Sequence, residues 1–228
     1  KITLHQPGLT KKILKLIKDG NRIPISESPT VSKPESIPAS VPLGSHKDGK
    51  DFDPKEFGFG YSQAVGMLMY LINTRPDLQV SVHQCARFSH APKEMHGKAL
   101  RRIARYLYTT RDQGLMIRKT PSPVRFDCYV DANFAGLFGH EDPQDPTSVK
   151  SRTGYVFTLG GNPVHWVSKL QQCISLSTVE AEYVALSMAL REFLPMRQTA
   201  FELCKHLGVD VGSANHMKST VFEDNNGC

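Results

Sequence analysis

Four acidic residues in the second half of the chain could do chemistry together. Asp131 follows the alternating stretch Val124-Arg-Phe-Asp-Cys-Tyr-Val130, which reads as a strand closed by the aspartate. Asp224 stands just after a second short apolar stretch, about Ser219 to Phe222. Between them, Glu180 and Glu182 fall in the first turns of a long helical pattern. That pattern opens at Ser177-Thr-Val-Glu180, a capping-box signature. Parallel neighbouring strands joined by a crossover helix would bring Asp131 and Asp224 to the same sheet edge. Carboxylates gathered within a few ångströms repel one another unless a cation lies between them. Mg2+ prefers oxygen ligands, and two such ions about 4 Å apart can clamp the attacking and leaving oxygens of a phosphodiester.

Helix geometry ranks the two glutamates. The apolar face reads as Val179, Tyr183, Leu186, Leu190 and Phe193. Glu182 lies roughly 60° from the centre of that face and Glu180 roughly 100° from it on the other side. Glu182 is therefore the expected ligand. Glu180, which has a capping role with Ser177, is the alternative. Spacing alone does not decide for a metal site, because aspartates end strands and glutamates enrich first helical turns for structural reasons.

The elements around these acids form a consistent set. Gly154 to Leu159 and Val164 to Ser168 read as strands joined by Gly160-Gly-Asn-Pro163, a hairpin signal. Pro195 is expected to kink or break the long helix, which resumes to Leu207-Gly208. Residues 137–150 read as a polar, proline-containing loop. From residue 124 onward the order is strand, hairpin, helix, strand. That is a mixed α/β unit: an antiparallel meander with the last strand returned parallel to an earlier one.

Upstream, residues 2–6 alternate like a short strand and Leu9 to Lys18 reads as a basic amphipathic helix. Residues 21–60 hold six Pro and six Ser, the composition of a linker rather than a packed segment. Tyr61 to Thr110 is helical in pattern, broken at Arg75-Pro-Asp77 and Ala91-Pro92, and predicts two or three packed helices. Leu100, Ile103, Ala104 and Leu107 form an inward stripe, with Arg101, Arg102 and Arg105 off it.

The net charge is +6, and it is localised. Residues 93–125 carry nine Lys and Arg against two acidic residues, while the rest of the chain is close to neutral. Such a block reads as a phosphate-binding surface, with Lys98, Arg101, Arg102 and Arg105 as its contacts. The plain alternative is a solvated helix face. With 39% hydrophobic and 22% charged residues the chain is globular, not disordered. Its longest strongly apolar run, Gly66 to Ile72, is too short for a membrane span. No charged-then-apolar secretory leader is expected, and five scattered cysteines without a C-x-x-C pair fit free thiols in a reducing compartment rather than disulfides or zinc. His165 and Trp166 read as sheet residues, His140-Glu-Asp142 as a solvated loop, and no G-x-x-x-x-G-K-[ST] loop occurs.

Several blocks together carry a family resemblance. Tyr61-Ser-Gln-Ala-Val-Gly-Met-Leu-Met-Tyr70, Thr74-Arg-Pro-Asp-Leu78 and Lys98-Ala-Leu-Arg-Arg-Ile-Ala-Arg-Tyr-Leu107 resemble the segment downstream of the polymerase in copia-type retrotransposon Pol polyproteins. Val130-Asp-Ala-Asn-Phe-Ala-Gly136 looks like the first active-site strand of their RNase H domain. Lys150-Ser-Arg-Thr-Gly-Tyr-Val-Phe-Thr-Leu-Gly-Gly161 resembles its hairpin, Leu176-Ser-Thr-Val-Glu-Ala-Glu-Tyr-Val-Ala-Leu-Ser187 its catalytic helix, and Glu223-Asp-Asn-Asn226 its second aspartate strand. The blocks cover about residues 61–226.

The resemblance implies a ribonuclease H-like fold preceded by a helical connection segment. It implies an endoribonuclease that hydrolyses the RNA strand of RNA–DNA hybrids with two Mg2+ ions, Mn2+ being a possible substitute. The matching acids are Asp131, Glu182 and Asp224. The implied layout is a reverse transcriptase tail over 1–20, a linker over 21–60, a connection over 61–120 and an RNase H-like domain over 121–228. The implied partners are the hybrid and the remainder of Pol, including the reverse transcriptase. The implied setting is a cytoplasmic virus-like particle or the nucleus, without membrane or secretion. The family's fourth acid lies downstream of Asp224, and Asn133 stands where the family often has a second aspartate. With Lys1 as its first residue, the chain is expected to be a piece of a longer protein whose RNase H domain is truncated. A catalytically inactive hybrid-binding remnant is the main alternative. An integrase-type core would place its glutamate last, and a purely helical scaffold would leave residues 124–226 unexplained.

Overall fold

The computed structural model describes residues 1–17, 43–44, 47–139 and 147–224. Its elements are β1 (Ile2–Leu4), α1 (Pro7–Leu16), α2 (Pro54–Phe57), α3 (Tyr61–Leu71), a 3-10 turn (Pro76–Leu78), α4 (Gln79–Ala86), α5 (Glu94–Thr109), β2 (Leu115–Ile117), β3 (Phe126–Asn133), β4 (Arg152–Leu159), β5 (Asn162–Leu170), α6 (Thr178–His206) and β6 (Val221–Phe222). They fall into two compact units: a helical one, mainly residues 3–115, and a sheet unit, mainly the described residues of 116–138 and 147–224. No helix among the described residues is long and apolar enough to cross a membrane.

The helical unit packs α1, α3, α4 and α5 around one core. Ile13, Ile17, Leu68, Leu71, Leu78, Leu100, Ile103 and Leu107 are fully or almost fully buried in it. Burial at helical spacing on each element explains the arrangement, since each amphipathic face must cover another. Arg75, 3% exposed, closes the unit from within. It donates to both carboxylate oxygens of Asp77 (2.9 and 2.7 Å) and to the carbonyl and hydroxyl of Thr110 just after α5 (3.0 and 2.7 Å).

Two expectations change here. The segment 21–60 does not behave as a linker at its end. Leu43, Phe57 and Phe59 are buried in the helical core, and Phe52 sits 4.7 Å from Phe57 and 5.4 Å from Tyr61, ring to ring. Gly97 on α5 makes this possible. A Cβ there would lie 2.5 Å from the Phe57 ring and 2.8 Å from that of Phe52. The aromatic residues of 52–61 thus outweigh the prolines before them; residues 18–42 lie outside the described set. Likewise α1 shares the core of α3 and α5 through Ile13 and Ile17, so residues 1–17 are packed with the helices that follow.

The sheet unit has strand order β5-β4-β3-β6. β3 pairs antiparallel with β4, β4 antiparallel with β5, and β3 parallel with β6. The fold is thus a mixed sheet with one parallel pair, crossed by one helix. The strands run longer than their apolar cores: β3 continues to Asn133, so Asp131 lies within the strand rather than at its end. β2 had no signal of its own.

α6 is unbroken across Pro195. The proline is exposed, so the carbonyl it leaves without an amide donor can turn to water. The face α6 lays on the sheet is also different from the one read in the sequence. It is the small line Ala181, Ala185 and Ala189, all fully buried, with Glu182 and Phe193. Tyr183 is 51% exposed. Alanines let the helix axis approach Phe126, Phe157 and Tyr155 closely, with Leu186 and Leu190 partly buried beside that contact.

Candidate metal centre

The three expected acids meet. One carboxylate oxygen from each of Asp131, Glu182 and Asp224 lies within 4.8 Å of the others. Asp131 and Asp224 are exposed and Glu182 is buried. Backbone register brings the first two together: Cys128 pairs with Val221 and Tyr129 with Phe222, and two further residues along each strand place Asp224 beside Asp131. Opposite Asp131 on the other side is Gly154, which offers no side chain to crowd it.

Glu182 arrives from the helix. Its carboxylate accepts a hydrogen bond from the backbone N–H of Ala132, while Oε2 is buried with no hydrogen-bond partner among the described residues. Burial first, then the charges of Asp131, Glu223 and Asp224, push its pKa up to about 7. A buried oxygen left unpartnered and three converging negative groups are what an all-oxygen cation site looks like before its cation is considered. The donor set is hard and matches Mg2+ or Mn2+.

Glu180 plays the other part. The Ser177 hydroxyl accepts from its backbone N–H (3.1 Å), and its own carboxylate accepts from the Leu176 N–H (2.7 Å). That reciprocal pairing caps α6 and leaves the carboxylate outside the cluster.

Two residues that build this site gave no sequence signal. Gln171, 1% exposed, donates to the Ala181 carbonyl (2.8 Å) and the Thr153 hydroxyl (3.1 Å) and accepts from Ser175 (3.1 Å). It ties the first turn of α6, and with it Glu182, to β4. Asp127 accepts from the Thr220 N–H just ahead of β6 (2.8 Å). Buried polar side chains that organise backbone are invisible to periodicity, because their partners are far away in sequence.

The basic residues sit in the helical unit, along α5. Lys98 pairs with Glu94 one turn earlier (2.7 Å). Arg101 stacks over the Phe57 ring at 4.5 Å and donates to the Phe57 carbonyl (3.3 Å). Burial and the neighbouring charge of Arg105 hold the Arg102 guanidinium below its usual range. In the sheet unit, His165 is engaged with Glu192 (3.0 Å) and Trp166 lies opposite Val156 in the sheet. His140, Glu141 and Asp142 lie outside the described residues. The four cysteines resolved as thiols, Cys85, Cys128, Cys173 and Cys204, are free.

No protein-family model matches the chain, and no solved structure matches it. Curated relatives do. The chain is 37% identical over 178 residues to the retrovirus-related Pol polyprotein from transposon TNT 1-94 of Nicotiana tabacum, covering 74% of this chain and 13% of that protein. It is 34% identical over 182 residues to the Pol polyprotein from transposon RE2 of Arabidopsis thaliana, covering 79% of this chain and 11% of that protein. A third relative, the secreted RxLR effector protein 161 of Plasmopara viticola, is 40% identical over 133 residues, 58% of this chain and 87% of the effector. The chain thus spans about an eighth of the polyproteins it matches. On these similarities, the chain resembles one stretch of the retrovirus-related Pol polyproteins of copia-type transposons.

Proposed function

We propose that this stretch of Pol is an RNase H-type endoribonuclease, acting on the RNA strand of RNA–DNA hybrids during reverse transcription. One observation carries the reading: the oxygens of Asp131, Glu182 and Asp224 converge within 4.8 Å around a buried, unpartnered Glu182 Oε2. These three carboxylates would hold Mg2+, or Mn2+ in its place. The cations supply water activation and stabilisation of charge on the scissile phosphate. Glu182 anchors the set from the rigid first turns of α6. Asp131 and Asp224, being exposed, face the approaching strand. Lys98, Arg101, Arg102 and Arg105 are proposed to hold backbone phosphates, which gives salt-dependent and sequence-independent binding. RNA is told from DNA by shape and by its 2′-hydroxyl. The remainder of Pol, with its reverse transcriptase, is the proposed partner, in a cytoplasmic virus-like particle or the nucleus.

Cleavage of a labelled hybrid with Mg2+ or Mn2+ tests this. Wild type should cut; Asp131→Asn and Glu182→Gln should not; Glu180→Gln should. A second reading, hybrid binding without catalysis, is favoured by Asn133, which stands where the resembled family often has a second aspartate. Equal inactivity of all four proteins with hybrid binding intact would establish it.

A further inference from the structure

β6 is two residues long, yet it must deliver one particular acid. Its neighbours Glu223 and Asp224 alternate in direction, so a slip of one residue against β3 would present Glu223 to Asp131 in place of Asp224. Two ladder pairs, Cys128 with Val221 and Tyr129 with Phe222, are too few to fix that choice by themselves. The structure adds a side-chain clip. Backbone N–H groups of Phe126 and Cys128 donate to the carbonyls of Lys218 (3.1 Å) and Thr220 (2.9 Å). The Thr220 N–H donates to Asp127 Oδ1 at 2.8 Å. Arg125 holds that same oxygen at 3.1 Å and also donates to the Thr220 hydroxyl at 2.5 Å. The Asp127 side chain is only 14% exposed. Beyond the clip, the Tyr129 and Phe222 rings stack at 4.7 Å and 10°.

We propose that Asp127 is a positioning residue: its carboxylate, held by Arg125, fixes the register of β6 on β3 and so brings Asp224 rather than Glu223 to the carboxylate cluster. A slipped strand would place the Thr220 amide where Asp127 cannot accept from it. The clip thus selects one register, which a general packing contact would not do. Asp127 stands on the same face of β3 as Asp131, four residues before it, so one strand carries both a ligand and the residue that places another ligand.

The proposal rests on the cation reading for its metal readout alone. In the full chain, Asp127→Ala should speed amide exchange at Thr220, Val221 and Phe222 about tenfold. Amides of β4 and β5 should stay within about threefold of wild type. Mn2+ affinity should fall about tenfold, the usual loss when a residue orienting a ligand is removed. Asp127→Asn keeps the acceptor and should hold both quantities within about threefold. In the wild-type background, Asp224→Asn should weaken Mn2+ binding and Glu223→Gln should not. Unchanged exchange at 220–222 in Asp127→Ala, acceleration spread evenly over the sheet, or equal losses for the two acids would overturn the proposal. Should the alanine variant fail to fold, Arg125→Met reads the clip instead: faster exchange at Thr220 supports it and none refutes it. A wild type that takes up no Mn2+ overturns the cation reading, and the exchange result then decides on Asp127.

Discussion

Both units pair opposite charges, as Arg125 with Asp127 does in the sheet unit, but the sheet unit also gathers one set of like charges. In the helical unit, opposite charges meet: Arg75 with Asp77, Lys93 with Asp51, Lys98 with Glu94, Lys50 with Glu56. Three of the four pairs lie within six residues in sequence, and Lys93–Asp51 brackets a backbone bridge between the same residues. In the sheet unit, Asp131, Glu182 and Asp224 come from three elements spread over the unit to a place where each opposes the others. Glu182 is buried there at an electrostatic disadvantage. Folding alone gives no reason for such an arrangement, which is the ground for the proposed metal site, whereas pairing in the helical unit is explained by structure.

The contrast can be broken first at the acids. Asp131→Asn, Glu182→Gln and Asp224→Asn are each expected to lower hybrid cleavage at least about a hundredfold, because each removes part of several kcal/mol of charge stabilisation. Single-turnover assays read this, with Glu180→Gln as the variant that keeps activity.

Two substitutions of matched thermodynamic cost sharpen it next. Arg75→Ala leaves Asp77 and Thr110 without their donor and should cost about 2 kcal/mol. Ala185→Leu forces bulk between α6 and the sheet and should also cost about 2 kcal/mol. Denaturant unfolding would show similar losses. Mn2+ binding should separate them: it survives in Arg75→Ala and weakens in Ala185→Leu, whose extra bulk lifts the turn that carries Glu182.

The same asymmetry has a pH signature. The Glu182 carboxyl rises from 4.5 to about 7 on folding, so the folded chain holds that proton to higher pH than the unfolded one. In the absence of divalent cation, the Glu182 contribution to stability should be full below about pH 4.5 and be lost as pH rises through 7. Thermal melts across this range should show the slope, Glu182→Gln should remove its share, and Mg2+ should flatten it by competing with the proton.

The smallest expected effect concerns α5. Replacing Arg102 or Arg105 by Ala should weaken hybrid binding uniformly and lower the salt slope by about one per charge, as for a phosphate contact. Titrations at several ionic strengths read this.

Much of this contrast was legible beforehand. Alternation marked β3, the Gly160-Gly161 turn marked the hairpin, and Ser177 marked the start of α6. Strand, hairpin, helix and strand in that order then brought the three acids together. The apolar face that ranks Glu182 over Glu180 in the sequence is centred roughly 100° from the one the structure buries. In the structure Glu180 caps the helix, and Glu182 is buried beside Ala181, Ala185 and Ala189 with its carboxylate toward Asp131 and Asp224. Hydrophobicity scales favour the large residues, while close helix–sheet approach favours the small ones. The packed stretch 52–60 was hidden for a related reason: the prolines and serines of 21–60 are counted in a window, but the three phenylalanines of 52–60 act at single points of contact.

α6 has one further consequence. At 29 residues it is roughly 44 Å long, well beyond the strands it crosses. Its far end, through Phe201 and Cys204, is buried with Val211 and Met217 on the return path to β6. The helix therefore acts as a crank, in which angular phase at one end is tied to phase at the other. Deleting a single residue between Phe193 and Phe201 would turn the distal end by about 100° and unseat the return path. Asp224 would then be lost to the site although no residue near it had changed. Length in this helix is as much a constraint on the chemistry as the identity of the acids.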